Sequence, residues 1–126
     1  MQIRVFMSKI HRATVTDGSL NYVGSITIDS DILDAAGIKP NQMVIINNVS
    51  NAVSWQTYAV AGKKGKGQVI LNGPPARLFH PGDKVIILAE AYVDAEEYKK
   101  LKTKIVFVDD ENKVTKVLEH KANAKN

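Results

Sequence analysis

Ile38-Lys39-Pro40-Asn41-Gln42-Met43-Val44-Ile45-Ile46 is answered 41 residues later by Phe79-His80-Pro81-Gly82-Asp83-Lys84-Val85-Ile86-Ile87. Each copy reads as an apolar residue, a turn written X-Pro-(Asn/Gly), and a strand entered at once. Proline presets the first turn dihedral, and glycine or asparagine accepts the bend that follows. Met43-Val44-Ile45-Ile46 and Val85-Ile86-Ile87-Leu88 are continuous and rich in β-branched residues, as fully buried strands tend to be. One unit written twice in 126 residues points to two interlocked halves around a pseudo-twofold axis.

Outward from the repeat the chain reads mostly as short strands: Ile3 to Thr16, Asn21 to Ile28, Trp55 to Ala61 and Gln68 to Leu71. A final hairpin pairs Val106–Val108 with Val114–Leu118 and turns at Asp110-Glu111-Asn112. Helical signals are few. Asp29-Ser30-Asp31 offers N-caps for Ile32–Ala36, with Gly37 as the stop, and Asp94 caps Ala95–Lys100. The latter has acids in its first turn and lysines in its last, as the helix dipole favours. The fold expected is mainly β, a double-psi β-barrel with short helices and a C-terminal helix and hairpin extension. It forms a single domain over 1–126 with the last six residues frayed.

Composition narrows the function. Apolar residues at 44% and charged residues at 24% fit a globular protein. No apolar run approaches a membrane span, and Met1-Gln2-Ile3-Arg4-Val5-Phe6 lacks a signal-peptide core, so no membrane partner and a cytoplasmic location are expected. The net charge of +4 raises nucleic acid as a partner, but eight of the seventeen basic residues lie between Lys99 and Lys125, interleaved with acids. That pattern reads as mixed-sign surface, and no nucleic acid is expected. The chain has no cysteine, and His11, His80 and His120 have no ligand spacing. No metal is expected, and no phosphate loop or hydrolase elbow is present.

What remains is Tyr22-Val23-Gly24-Ser25-Ile26. On composition alone, Gly24-Ser25 is a bulge relieved by glycine. The alternative is an acyl shift, in which a serine hydroxyl attacks the carbonyl before it and turns the amide into an ester. Glycine leaves that carbonyl open and tolerates strain. Elimination of the ester and hydrolysis then leave a pyruvoyl group at the new N-terminus.

The runs Ser8–Thr16, Leu20–Asp29, Leu33–Ile38, Thr57-Tyr58-Ala59, Asn72-Gly73 and Gly82–Ile87 resemble the bacterial aspartate 1-decarboxylases, without gaps from Lys9 to about Ala89. The resemblance implies a double-psi β-barrel that assembles as a homotetramer with active sites at subunit interfaces. It implies self-cleavage of the zymogen into 1–24 and 25–126, and a covalent pyruvoyl cofactor derived from Ser25, with no metal and no pyridoxal phosphate. The substrate implied is L-aspartate, which condenses with the pyruvoyl carbonyl as a Schiff base and leaves as β-alanine and carbon dioxide, a step of pantothenate biosynthesis. By resemblance Ser25 is the reacting centre, Tyr58 the proton donor, and Gly24 and Thr57 serve maturation. Lys9, Thr57, Asn72, Gly73 and Ala76 bind substrate, and His11 and Tyr22 support the site.

Two positions depart from the family pattern. Ser54 stands where arginine is usual, and Pro74-Pro75 follows Asn72-Gly73 where alanines are usual. Serine has no guanidinium fork and proline no N–H. A charge-assisted contact is worth roughly 1.5–3 kcal/mol, so losing one weakens binding by about tenfold to over a hundredfold. Three readings stay open: another base such as Arg77 fills in, the substrate is a different amino acid, or the barrel is a weak or non-catalytic module.

Overall fold

The computed structural model describes residues 1–20 and 24–124. Its elements are β1 (Ile3–Thr14), β2 (Asp17–Ser19), β3 (Ser25–Asp29), α1 (Ser30–Ala36), β4 (Met43–Asn48), β5 (Ser54–Gly62), β6 (Val69–Asn72), a 3-10 turn (Pro74–Arg77), β7 (Lys84–Val93), α2 (Ala95–Lys100), β8 (Lys102–Val108) and β9 (Val114–Lys121).

The sequence repeat becomes an axis in the molecule. Both Pro turns close with the same bond: Gln42 N–H donates to the Lys39 carbonyl at 3.1 Å, and Asp83 N–H to the His80 carbonyl at 2.9 Å. Asn41 and Gly82 take positive φ, 71° and 93°, as the third residue of such a turn requires. The strands that follow pair antiparallel, with Ile46 opposite Ile87, its own counterpart in the repeat. Ile45↔Leu88 and Asn47↔Ile86 flank that pair and exchange under the same 41-residue shift. The axis therefore runs between Ile46 and Ile87.

The sheet order is β2-β6-β3-β5-β4-β7-β1-β8-β9. Outward from the axis the two halves match: β4 to β5 and β7 to β1 are antiparallel, β5 to β3 and β1 to β8 parallel, β3 to β6 and β8 to β9 antiparallel. Past Thr14 the chain changes neighbours. Val15 N–H donates to Asp83, Thr16 N–H donates to Val69, and β2 then pairs with β6. One stretch of chain thus joins the middle of the sheet to its far end and closes the double-psi barrel.

The interior is a single apolar cluster with Ile10, Ile26, Ile28, Ile46, Leu71, Phe79 and Ile87 fully buried. Alternation along β4, β5 and β7 sends Val44, Ile46, Thr57, Ala59, Val85, Ile87 and Ala89 inward. α1 adds Ile32, Leu33 and Ala36 to the same cluster. It begins at Asp29, whose carboxylate caps Asp31 N–H, and ends at Gly37 in the left-handed conformation, as the sequence suggested. α2 opens with the reciprocal Asp94–Glu97 capping box and buries none of its residues.

Some expectations shift. The strand expected from Asn21 begins at Ser25, and Asn21 to Val23 lie outside the described residues. The C-terminal hairpin is longer at both ends than its apolar residues suggested. In the tail expected to fray, Lys121 pairs with Lys102 and Ala122 N–H donates to the Leu101 carbonyl at 2.8 Å. Pro74–Arg77 forms a 3-10 turn because its prolines occupy the first positions, where a helix has no use for their N–H groups.

Candidate active site

Ser25 opens β3 beside Asn72, the last residue of β6. It is 1% exposed. Asn72 Nδ2 donates to Ser25 Oγ at 3.0 Å and to Thr27 Oγ1 at 3.0 Å. Ser25 and Thr27 are two apart on one strand and face the same side, so one amide spans both hydroxyls. Asn72 thus occupies one lone pair of Ser25 Oγ and holds that oxygen in place.

Gly24 precedes it in open space. Among the described residues, a side chain built there meets nothing closer than the Asn72 carbonyl at 3.8 Å. β3 and β5 run parallel with Ile26 opposite Ala59. Continuing that register sets Ser25 against Tyr58 and Gly24 against Thr57. Tyr58 is half-buried on the outer face shared by Ser25, and Thr57 is buried on the inner face next to the Gly24 peptide.

Gly73 turns the chain away with φ 82° and ψ −149°, a conformation reserved for glycine. Its N–H donates to the Ser19 carbonyl, and Ala76 N–H donates to the Gly73 carbonyl at 3.0 Å. Both amides thus serve the loop's own hydrogen bonds. Ala76 packs beside Gly18, where a Cβ would approach its own to 3.1 Å.

Lys9 and His11 are elsewhere in the protomer. Both are on β1, four steps from β3 in the sheet order. Lys9 faces outward in the row Lys9–Leu88–Ile45–Gln56. Three strand spacings, about 14 Å, separate it from Gln56 and the β5 side of that face. His11 packs edge-on against Phe107, ring centres 5.5 Å apart. Burial and then the charges of Lys9 and Arg12 hold its imidazole below the ordinary 6.5. Tyr22 lies outside the described residues.

Within one chain the residues therefore fall into two groups on one outer sheet face: Ser25, Asn72 and Tyr58 at one end, Lys9 at the other. Between and beside them the face exposes Met43 at 58%, Tyr92 at 66% and Phe6 at 39%. Sequence reasoning missed Thr27, although its period-two spacing from Ser25 was the signal. It also missed how deeply Asp29, four residues on, is held. Among the described residues no group of three His, Cys, Asp or Glu is placed to hold a metal, and no helix is long and apolar enough to cross a membrane.

Comparison with known proteins gives the family. The aspartate decarboxylase family model matches residues 1–115. An aspartate 1-decarboxylase of Caldicellulosiruptor saccharolyticus is 53% identical over 93% of this chain and 91% of its own length. That of Carboxydothermus hydrogenoformans is 50% identical over 94% of each. That of Clostridium beijerinckii is 45% identical over 98% of this chain and 99% of its own.

Proposed function

The chain belongs to the aspartate decarboxylase family, and from that premise we propose that it decarboxylates L-aspartate to β-alanine at a pyruvoyl group made from its own Ser25. The observation that carries the reading is the buried Ser25 hydroxyl directly after Gly24, held by Asn72 Nδ2 at 3.0 Å.

The residues present fit such a group. Ser25 Oγ bonds to the Gly24 carbonyl carbon, and the Gly24–Ser25 C–N bond breaks. Elimination then releases Gly24 as a carboxylate, and hydrolysis of the dehydroalanine releases ammonia. Thr57, level with Gly24 in the register, supplies a hydroxyl for the oxygen that gains charge in the first step. Once formed, the group supplies a carbonyl conjugated to an amide, an electron sink for the pair left behind when carbon dioxide departs. Tyr58, level with Ser25 on the same face, returns a proton to the carbon that lost its carboxylate. Asn72 holds the N-terminal end of β3 to β6 through Thr27 after Ser25 has been consumed.

In this reading Lys9 is brought to Ser25 by a second copy, which the four steps between β1 and β3 in the sheet order support. The exposed Met43 and Tyr92 on the same face supply the apolar surface such an assembly needs. The reading is thus of a homotetramer with interface active sites, acting in the cytoplasm.

The test is product formation. Purified protein given L-aspartate should release β-alanine and carbon dioxide, and Ser25→Ala should release neither. Tyr58→Phe should still be cut between Gly24 and Ser25 but turn over roughly 100-fold or more slowly, the usual worth of a positioned proton donor. Wild-type turnover in Tyr58→Phe removes the phenol from that role.

A further inference from the structure

Aspartate enters with two carboxylates. The one that becomes carbon dioxide must be free to leave, and the other must be held, which calls for a cation near Ser25; with Lys9 brought by a second copy in the proposed assembly, the protomer's own contribution is sought on the elements next to Ser25. β3 pairs with β6 and β5, β2 pairs with β6 as far as Asn72, and the 3-10 turn follows Asn72 in the chain. β2, β5 and β6 carry no lysine or arginine. The turn carries one, Arg77.

The topology aims this turn along the site. β6 runs antiparallel to β3 and β5 runs parallel to it. Beyond Asn72 the chain therefore heads toward the end of β5 that begins at Ser54. There Asn48 Nδ2 and Asn51 Nδ2 both donate to the Leu78 carbonyl, at 3.1 and 2.9 Å. They tie the residue after Arg77 to the connection that leads into Ser54. Arg77 is thus fixed in backbone between the Asn72 anchor and this clamp, on a turn stiffened by Pro74 and Pro75. Its side chain is exposed, and among the described residues no acid pairs with it.

Resting on the decarboxylase reading of Ser25, we propose that Arg77 is a substrate-binding residue whose guanidinium holds the side-chain carboxylate of aspartate. Ser54, exposed at the same end and uncharged, leaves this role to it. A planar fork with parallel N–H donors suits a carboxylate bidentately, and a long side chain on a fixed, exposed turn can meet the anion as substrate enters.

The experiment compares wild type, Arg77→Gln and Arg77→Lys by steady-state kinetics with L-aspartate, by titration with succinate, a dicarboxylate that lacks the reacting amine, and by intact mass. Arg77→Gln should raise KM by about 10- to 100-fold with kcat within a few-fold, the loss expected of one charge-assisted contact. Succinate affinity should fall in parallel, Arg77→Lys should recover part of both, and the fragment pattern should not change. Wild-type KM and succinate affinity in Arg77→Gln overturn the proposal, as does a wild-type protein that takes up no succinate. A wild-type chain that binds succinate but never cuts itself defeats the decarboxylase reading instead, and the titration still decides Arg77.

Discussion

Asp29 is 1% exposed, and its carboxylate accepts N–H bonds from Asp31 at 2.8 Å, Gly65 at 3.1 Å and Gly67 at 2.7 Å. Burial works to raise its pKa, but the three backbone donors, with Lys113 nearby, outweigh burial and hold it below the ordinary 3.8. A depressed carboxylate contributes stability that is present above its unfolded value and lost as pH falls through the folded one. The acid limb of unfolding should therefore extend below pH 3.8 and depend on this residue. Asp29→Ala should cost about 1–3 kcal/mol at neutral pH, from the lost cap and the stranded N–H groups. Urea unfolding at pH 7 and at a pH below 3.8 checks both, and a variant whose midpoint is unchanged at pH 7 contradicts them. The cap was legible in the sequence because capping is local. The reach of Asp29 to Gly65 and Gly67 was not, since it depends on how β3 and the β5–β6 connection meet. The same holds for the Asn72 amide shared by Ser25 and Thr27: the residues were named from their resemblance, and the bonds came with the β3–β6 register.

At the scale of elements, the β8–β9 turn does more than reverse the chain. Asn112 is 2% exposed. Its Oδ1 accepts Thr14 N–H, and its Nδ2 donates to the Thr14 and Gly67 carbonyls, all at 2.8 Å. Gly67 has φ 68°, and a Cβ there would come within 2.4 Å of the Glu111 carbonyl oxygen. Gly67→Ala meets both a left-handed backbone and a backbone clash, so it should cost about 2–4 kcal/mol. A urea midpoint indistinguishable from wild type contradicts that packing. Asp110-Glu111-Asn112 was readable as a turn, but the burial of Asn112 against β1 was not, because the sequence gives no sign of contacts 98 residues apart. β2 escaped notice for a related reason: Asp17-Gly18-Ser19 is short and polar, and it is a strand only because β6 offers it a parallel edge.

At the scale of the whole molecule, the repeat announced the barrel because symmetry must be written twice to be built once. The split of the site was hidden, since only pairing reveals that Lys9 and Tyr58 share one outer face several strands apart. That face, with Met43 and Tyr92 exposed, is where copies should meet. If the proposed homotetramer forms through this face, Met43→Glu with Tyr92→Glu should reduce it to smaller species by light scattering and lower turnover with it, because a buried unpaired charge is costly. A tetramer unmoved by both changes places the interface elsewhere. The proposed assembly and catalysis both rest on the reactive group proposed at residue 25, and intact-mass spectrometry of the purified protein tests it most directly. The expected result is two fragments, one ending at Gly24 and the other starting at residue 25, lighter by one ammonia than a serine start would give. A folded sample of one unbroken chain, or a second fragment starting with ordinary serine, contradicts it.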